Sequence, residues 1–218
     1  MSEIYNLFAF EIKSLIGRKI FKKRTLIPTY KKPILLDLGV GSNFTDGWIH
    51  IDFFVIRNPI KKLFNPTNRR RLPEVQTDLR YPLNCPDNVI EGIYTSHTIE
   101  HLRFQESKTL LKETYRILIP GKYIRIVVPD ISKVIDFYLG KNNDYDFNTG
   151  CEAISAYTQG WGHKSVWDEK YLKIVLKDVG FVNVSKVEYA TGGNDKRLIK
   201  EEEVRKFESV VIEAQKPF

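Results

Sequence analysis

The stretch Ile34-Leu35-Leu36-Asp37-Leu38-Gly39-Val40-Gly41-Ser42-Asn43 constrains this chain most. An apolar run closed by glycine reads as a buried parallel strand, because a strand covered on both faces stays apolar at consecutive positions. Two glycines one residue apart let the backbone turn sharply and approach a ligand closely, since they carry no Cβ. In an open α/β sheet such a turn lies at the C-terminal edge, where ligands bind. A dinucleotide fingerprint would place a third glycine where this chain has Phe44. Asp37, just before the turn, suits a cationic ligand better than a pyrophosphate.

The rest of the chain supplies a sheet around that strand. Residues 2–21 read as a helix, capped by Ser2 and carrying Ile4, Leu7, Phe8 and Leu15 at helical spacing. Lys22-Lys23-Arg24 and Lys31-Lys32 follow it. A helix packed on the domain with a solvated basic end is favoured over one resting on a membrane. The first strand covers about 33–38. Only six residues separate Gly41 from the next strand, Trp48 to Asp52. A crossover helix needs about a dozen, so the first helix is expected to shrink to a turn or two. Residues 53–74 form a basic insertion, an anion-binding flap or a solvated loop. Val75–Leu79 reads as strand three and its exit, and 89–95 as strand four. A helix follows at 105–118, then strand five at 123–128 and a helix at 131–139. Residues 140–166 read as loop, followed by a helix from the Asp168 cap to about 178. Two final strands, 181–189 and 207–214, flank a charged stretch at 195–206.

This order predicts an α/β fold: a mostly parallel seven-stranded sheet with one antiparallel strand and flanking helices. Residues 1–32 are expected to form an N-terminal amphipathic helix and basic linker, and 33–218 the catalytic domain. The combination of Leu36-Asp37-Leu38-Gly39-Val40-Gly41-Ser42-Asn43, Asp78-Leu79, Ser96-His97 with Glu100-His101-Leu102, and Leu118-Ile119-Pro120-Gly121-Lys122 resembles the class I S-adenosylmethionine (SAM) methyltransferases, Rossmann-like enzymes. Within them it is similar to a branch associated with surface-polysaccharide and glycan assembly, which also shows Val127-Val128-Pro129-Asp130 and a Gly-His-Lys loop. The resemblance implies SAM as cofactor, held by Asp37, Gly39, Gly41, Ser42 and Ser96. It implies Asp52 on the ribose hydroxyls, Asp78 on the adenine amino group and Leu79 N–H on a ring nitrogen.

The implied chemistry is displacement at a sulfonium methyl, in which the cofactor is the electrophile and the protein positions the acceptor and removes its proton. A sugar hydroxyl needs such a base. His101 is the first candidate, with Asp130 as orienter, and His97 is its rival. Glu100 reads as a structural carboxylate bonding backbone amides. His163, among tryptophans in 161–167, is a candidate acceptor contact. His97, His101, Asp130 and His163 together could hold a divalent metal, but their spacing is no metal signature and none is expected.

Composition sets outer bounds. A net charge of +7 and a pI near 9.2 suit an anionic partner without choosing one. A nucleic-acid methyltransferase is the second reading and a non-catalytic SAM-binding domain the third. Methylation of exocyclic base nitrogens usually goes with Asn/Asp-Pro-Pro-aromatic after strand four, where this chain has Ser96-His97-Thr98-Ile99. Cys85 and Cys151 form no metal-spaced pair, which fits a reducing, cytoplasmic setting.

Overall fold

The computed structural model describes residues 2–30, 32–54 and 71–218, with side chains from residue 6 onward. Seven strands form one sheet in the order β3-β2-β1-β4-β5-β7-β6. They are β1 Leu35–Leu38, β2 Ile49–Asp52, β3 Val75–Gln76, β4 Gly92–Ser96, β5 Tyr123–Pro129, β6 Val182–Lys186 and β7 Ser209–Gln215. Only β7 runs against its neighbours, pairing antiparallel with β5 and β6, as expected. The helices are α1 Ser2–Ile20, α2 Phe104–Ile117, α3 Ile131–Tyr138, α4 Gly150–Gln159 and α5 Glu169–Val179.

Alternation along the strands divides the core between two faces. On the first, Leu36, Leu38, Ile51, Ile93, Ile126 and Ile212 meet Leu110 and Leu111 of α2 and Leu172 and Leu176 of α5. Helix α5 starts at the predicted cap, where Asp168 accepts from Tyr171 N at 2.6 Å, and Gly180 ends it at φ +115°. The second face holds Leu35, Trp48, Tyr94, Val127 and Val211.

No helix covers the second face between β1 and β2. Residues 39–48 run as turns and extended chain, tighter than the expected turn or two of helix. Instead the β6–β7 connection, residues 187–208, folds back over it. Leu198 packs against Leu35, and buried charges anchor the rest. Arg125 on β5, fully buried, pairs with Glu213 across the β5–β7 register at 2.7 Å and with Glu201 of the connection. It also donates to Gly192 O at 2.5 Å, while Asn194 N donates to Glu213 at 2.7 Å.

The stretch 140–166, expected to be loop, contains α4. Its start was hidden by Gly150, but Thr149 caps it by accepting from Glu152 N, and Ala153 and Tyr157 bury one side. Helix α1 forms as expected but faces the body with its more polar side. Ser14 bonds Asp78, Glu11 pairs with Arg80 at 2.6 Å, and Gly17 leaves room for Phe54. Phe8, Ile12 and Leu15 point outward. No helix among the described residues is long and apolar enough to cross a membrane. Residues 55–70 of the basic insertion lie outside the described residues. Arg71, at its end, pairs with Asp46 and Glu74.

Candidate functional site

A cleft of about 440 Å³ opens where β1 and β4 end, at the point where the chain order reverses across the sheet. The glycine turn builds one wall. Gly39 and Gly41 both have positive φ, +76° and +57°, which a side chain would strain. Their surroundings differ. A Cβ on Gly39 would lie 2.2 Å from Thr98 Oγ1, whereas nothing stands within 4 Å of one on Gly41. Gly39 is therefore required by packing, and Gly41 by its conformation at the open cleft.

The loop beyond is fixed from below. Buried His50 bonds Glu74 through Nδ1 at 2.7 Å, and its Nε2 stands 3.0 Å from Thr45 N. Thr45 N–H can only donate, so Nε2 accepts and the proton lies on Nδ1. Asp52, expected at the ribose, accepts from Gly41 N at 2.8 Å and Phe53 N at 2.6 Å. It borders the turn, with its oxygens partly engaged by backbone.

Of the residues implied for the cofactor, Asp37, Gly39, Gly41, Ser42 and Ser96 line the cleft, as does His97. Asp78 does not. Its carboxylate is spent on the guanidinium of Arg80, at 2.7 Å, and on the Ser14 hydroxyl, holding α1 to the sheet edge. Leu79 packs against the first-face core. The cleft lining does not include this pair, for which the resemblance implies the adenine contacts.

Asp37 already faces a cation, supplied by the chain itself. Lys200 of the β6–β7 connection pairs with it, and the ammonium lies 4.2 Å from the Trp48 ring and 5.3 Å from that of Tyr94. Burial pushes the Asp37 carboxyl above its ordinary range despite Lys200. Asp78 shows the opposite balance: burial acts upward, but hydrogen bonds from Arg80 and Ser14 outweigh it and hold its pKa low. Lys200, Glu202 and Arg205, all lining the cleft, escaped the sequence reading. The one available signal was the charge density of 195–206.

The histidines separate. His97 lines the cleft with an unusual φ of +48°, its Nε2 3.0 Å from Ser209 Oγ and its Nδ1 3.3 Å from Glu100. His101 instead packs edge-on against His163, ring centres 5.1 Å apart. Asp130 is not brought to His101: it caps α3, accepting from Ser132 N and Oγ. Glu100 does not bond backbone amides through its side chain; neither carboxylate oxygen has a hydrogen-bond partner. Trp161 is exposed and stacks edge-on against Tyr157, with His163 beside it.

No family model matches the chain, and no curated protein matches it. Solved structures do. A Haemonchus contortus phosphoethanolamine N-methyltransferase 2, in complex with phosphomonomethylethanolamine and S-adenosylhomocysteine, is similar at 14% identity and a TM-score of 0.50. The match covers 84% of this chain and 49% of that one, so the chain spans about half its length. A SAM-dependent methyltransferase from Archaeoglobus fulgidus is similar at 20% identity and TM-score 0.48, over 97% and 99% of the two chains. One from Aquifex aeolicus is similar at 17% identity and TM-score 0.46, over 92% and 89%. At this identity the likeness to the Haemonchus contortus enzyme is one of fold: the chain has a Rossmann-like α/β fold with a seven-stranded, mostly parallel sheet and one antiparallel strand.

Proposed function

We propose that this chain is a SAM-dependent methyltransferase, and that its acceptor is a hydroxyl of a sugar or glycan. The observation that carries the reading is the cleft itself. A tight glycine turn, an acidic residue beneath it and a histidine across from it converge at the C-terminal edge of the sheet. The turn brings bare backbone to the ligand, and Asp37 with Trp48 and Tyr94 is a surround suited to a cationic group. SAM would supply the activated methyl. The chain's own residues would hold the cofactor at Gly39–Ser42, admit the acceptor and take its proton.

His97 is the favoured base because it lines the cleft and His101 does not. Its left-handed backbone is a strain kept by surrounding structure, as at many functional sites. The glycan reading draws support from exposed Trp161 with His163 beside it, an aromatic face with a polar neighbour that matches the C–H faces and hydroxyls of a sugar. A screen with methyl-labelled SAM against glycosides, nucleotide sugars and RNA tests it. Transfer to a glycoside supports the reading, whereas transfer only to RNA, with steep salt dependence, moves it to nucleic acid.

The outward stripe of α1 supports peripheral contact with an anionic membrane. Phe8, Ile12 and Leu15 are exposed on one side, with exposed Lys19, Lys22, Lys23 and Arg24 beside or following them. Sedimentation with phosphatidylserine vesicles should fall on Phe8→Ser with Leu15→Ser. Equal sedimentation would remove that contact.

A further inference from the structure

We infer that Glu100, His101 and His163 form a binding site for one divalent transition-metal ion of the zinc and manganese class. The inference does not rest on methyl transfer, although His163 is also the proposed acceptor contact, and its test reads metal content rather than activity. The first observation is Glu100. It is 1% exposed, and both carboxylate oxygens lack a hydrogen-bond partner. A buried carboxylate without donors is costly and rare, so something must compensate its charge. Its near polar neighbour, His97 Nδ1 at 3.3 Å, does not meet hydrogen-bond geometry.

The second observation is the pair of rings. His163 Nδ1 lies 2.8 Å from Tyr157 O, and His101 Nδ1 lies 3.4 Å from Gly162 O. A carbonyl only accepts, so each Nδ1 carries the proton and each Nε2 keeps its lone pair. Metal-ligating histidines are commonly oriented this way, one nitrogen donating to a backbone carbonyl. One donor atom from each of the three residues lies within 4.8 Å of the others. Small side-chain rotations would close that spacing onto one ion.

The backbone holds the two contributing segments together. Lys164 N and Ser165 N both donate to Glu100 O, at 2.8 and 3.1 Å, so the loop carrying His163 is pinned to the turn carrying Glu100 and His101. Two imidazoles and one carboxylate favour zinc, manganese or iron over magnesium and calcium, which prefer all-oxygen shells. Three protein ligands would leave at least one position for water. The sequence hides this set because 62 positions separate His101 from His163. It also differs from the four residues weighed there: Glu100 enters, while Asp130 caps a helix and His97 faces the cleft.

The test uses the full chain without an affinity tag, stripped with chelator and titrated with zinc chloride or manganese chloride. Metal content is read by mass spectrometry after dialysis, and thermal unfolding is followed with and without the metal. One ion per chain and a raised melting midpoint are expected for the wild type. His101→Ala with His163→Ala should lose the ion, while His97→Ala should keep it. Glu100→Gln gives a reversal that a purely structural carboxylate would not. It should melt above the wild type in chelator, because a buried carboxylate without hydrogen-bond donors is gone, and below it when metal is present. Less than a tenth of an ion per wild-type chain, undiminished binding in the double-histidine variant, or no reversal by Glu100→Gln would overturn the site.

Discussion

The two faces of the sheet are built differently. The first is covered by α2 and α5, whose leucines and valines interdigitate with strand residues. The second lacks a helix after β1 and is covered by an extended connection held by buried ions: Arg125 with Glu201 and Glu213, and Lys200 with Asp37. A helix satisfies its own backbone and needs only an apolar stripe to dock. An irregular segment leaves amides and carbonyls to be satisfied by side chains. Arg125 reaches Gly192 O and Glu188 O for this reason. The functional cleft lies on the ionic face, where Lys200, Glu202 and Arg205 of the connection reach the glycine turn.

If that contrast is right, breaking the ionic face should cost most. Arg125→Met leaves two fully buried carboxylates uncompensated and should destabilise by about 3–5 kcal/mol. Replacing all three by apolar residues, Arg125→Met with Glu201→Leu and Glu213→Leu, should recover most of the loss in urea unfolding. On the helical face, Leu110→Ala should cost about 2–5 kcal/mol, with no second substitution of a charged residue able to rescue it. Gly39→Ala, meeting Thr98 at a positive φ, should cost about 1–3 kcal/mol.

Acid should separate Asp37 from Asp78. Asp78 has a folded pKa below its unfolded one, so its contribution is full above the unfolded value and disappears as pH falls through the folded one. The stability gap between wild type and Asp78→Asn should close on acidification. Asp37 is shifted the other way: its folded pKa lies above its unfolded one because burial outweighs Lys200, so its ionisation costs stability and that cost is relieved as pH falls through the folded value. Urea unfolding across pH 3–7, with each Asn variant, checks both signs. The smallest effect expected is from Lys200→Met. It uncovers Asp37 for a cationic ligand and should raise SAM affinity severalfold in calorimetry; weaker binding would make Lys200 part of the ligand's own site.

Much of the fold was legible because it rests on local signals. The run Leu35–Leu38, the Asp168 cap and Gly180 each specify their element within a few residues. Helix α4 was obscured by Gly150 at its start, which read as loop. Asp37, Gly39, Gly41 and Ser42, and Ser96 with His97, all line the cleft, because each group lies within one short segment that the sequence marks. Partners that come from afar were not legible. Lys200 meets Asp37 across 163 positions, and Ser14 of α1 reaches Asp78 across 64. Asp130 was misplaced because its carboxylate serves its own helix, a role that needs no distant partner.

If the glycine-turn cleft takes SAM, calorimetry of SAM binding to wild type and to Gly41→Val will show it. The branched side chain introduced by that substitution would project into space that is open in the cleft. Saturable binding to the wild type, reduced at least about tenfold in a folded Gly41→Val variant, a loss of about 1.4 kcal/mol, is the predicted result. No binding to the wild type, or equal affinity in both proteins, would contradict it.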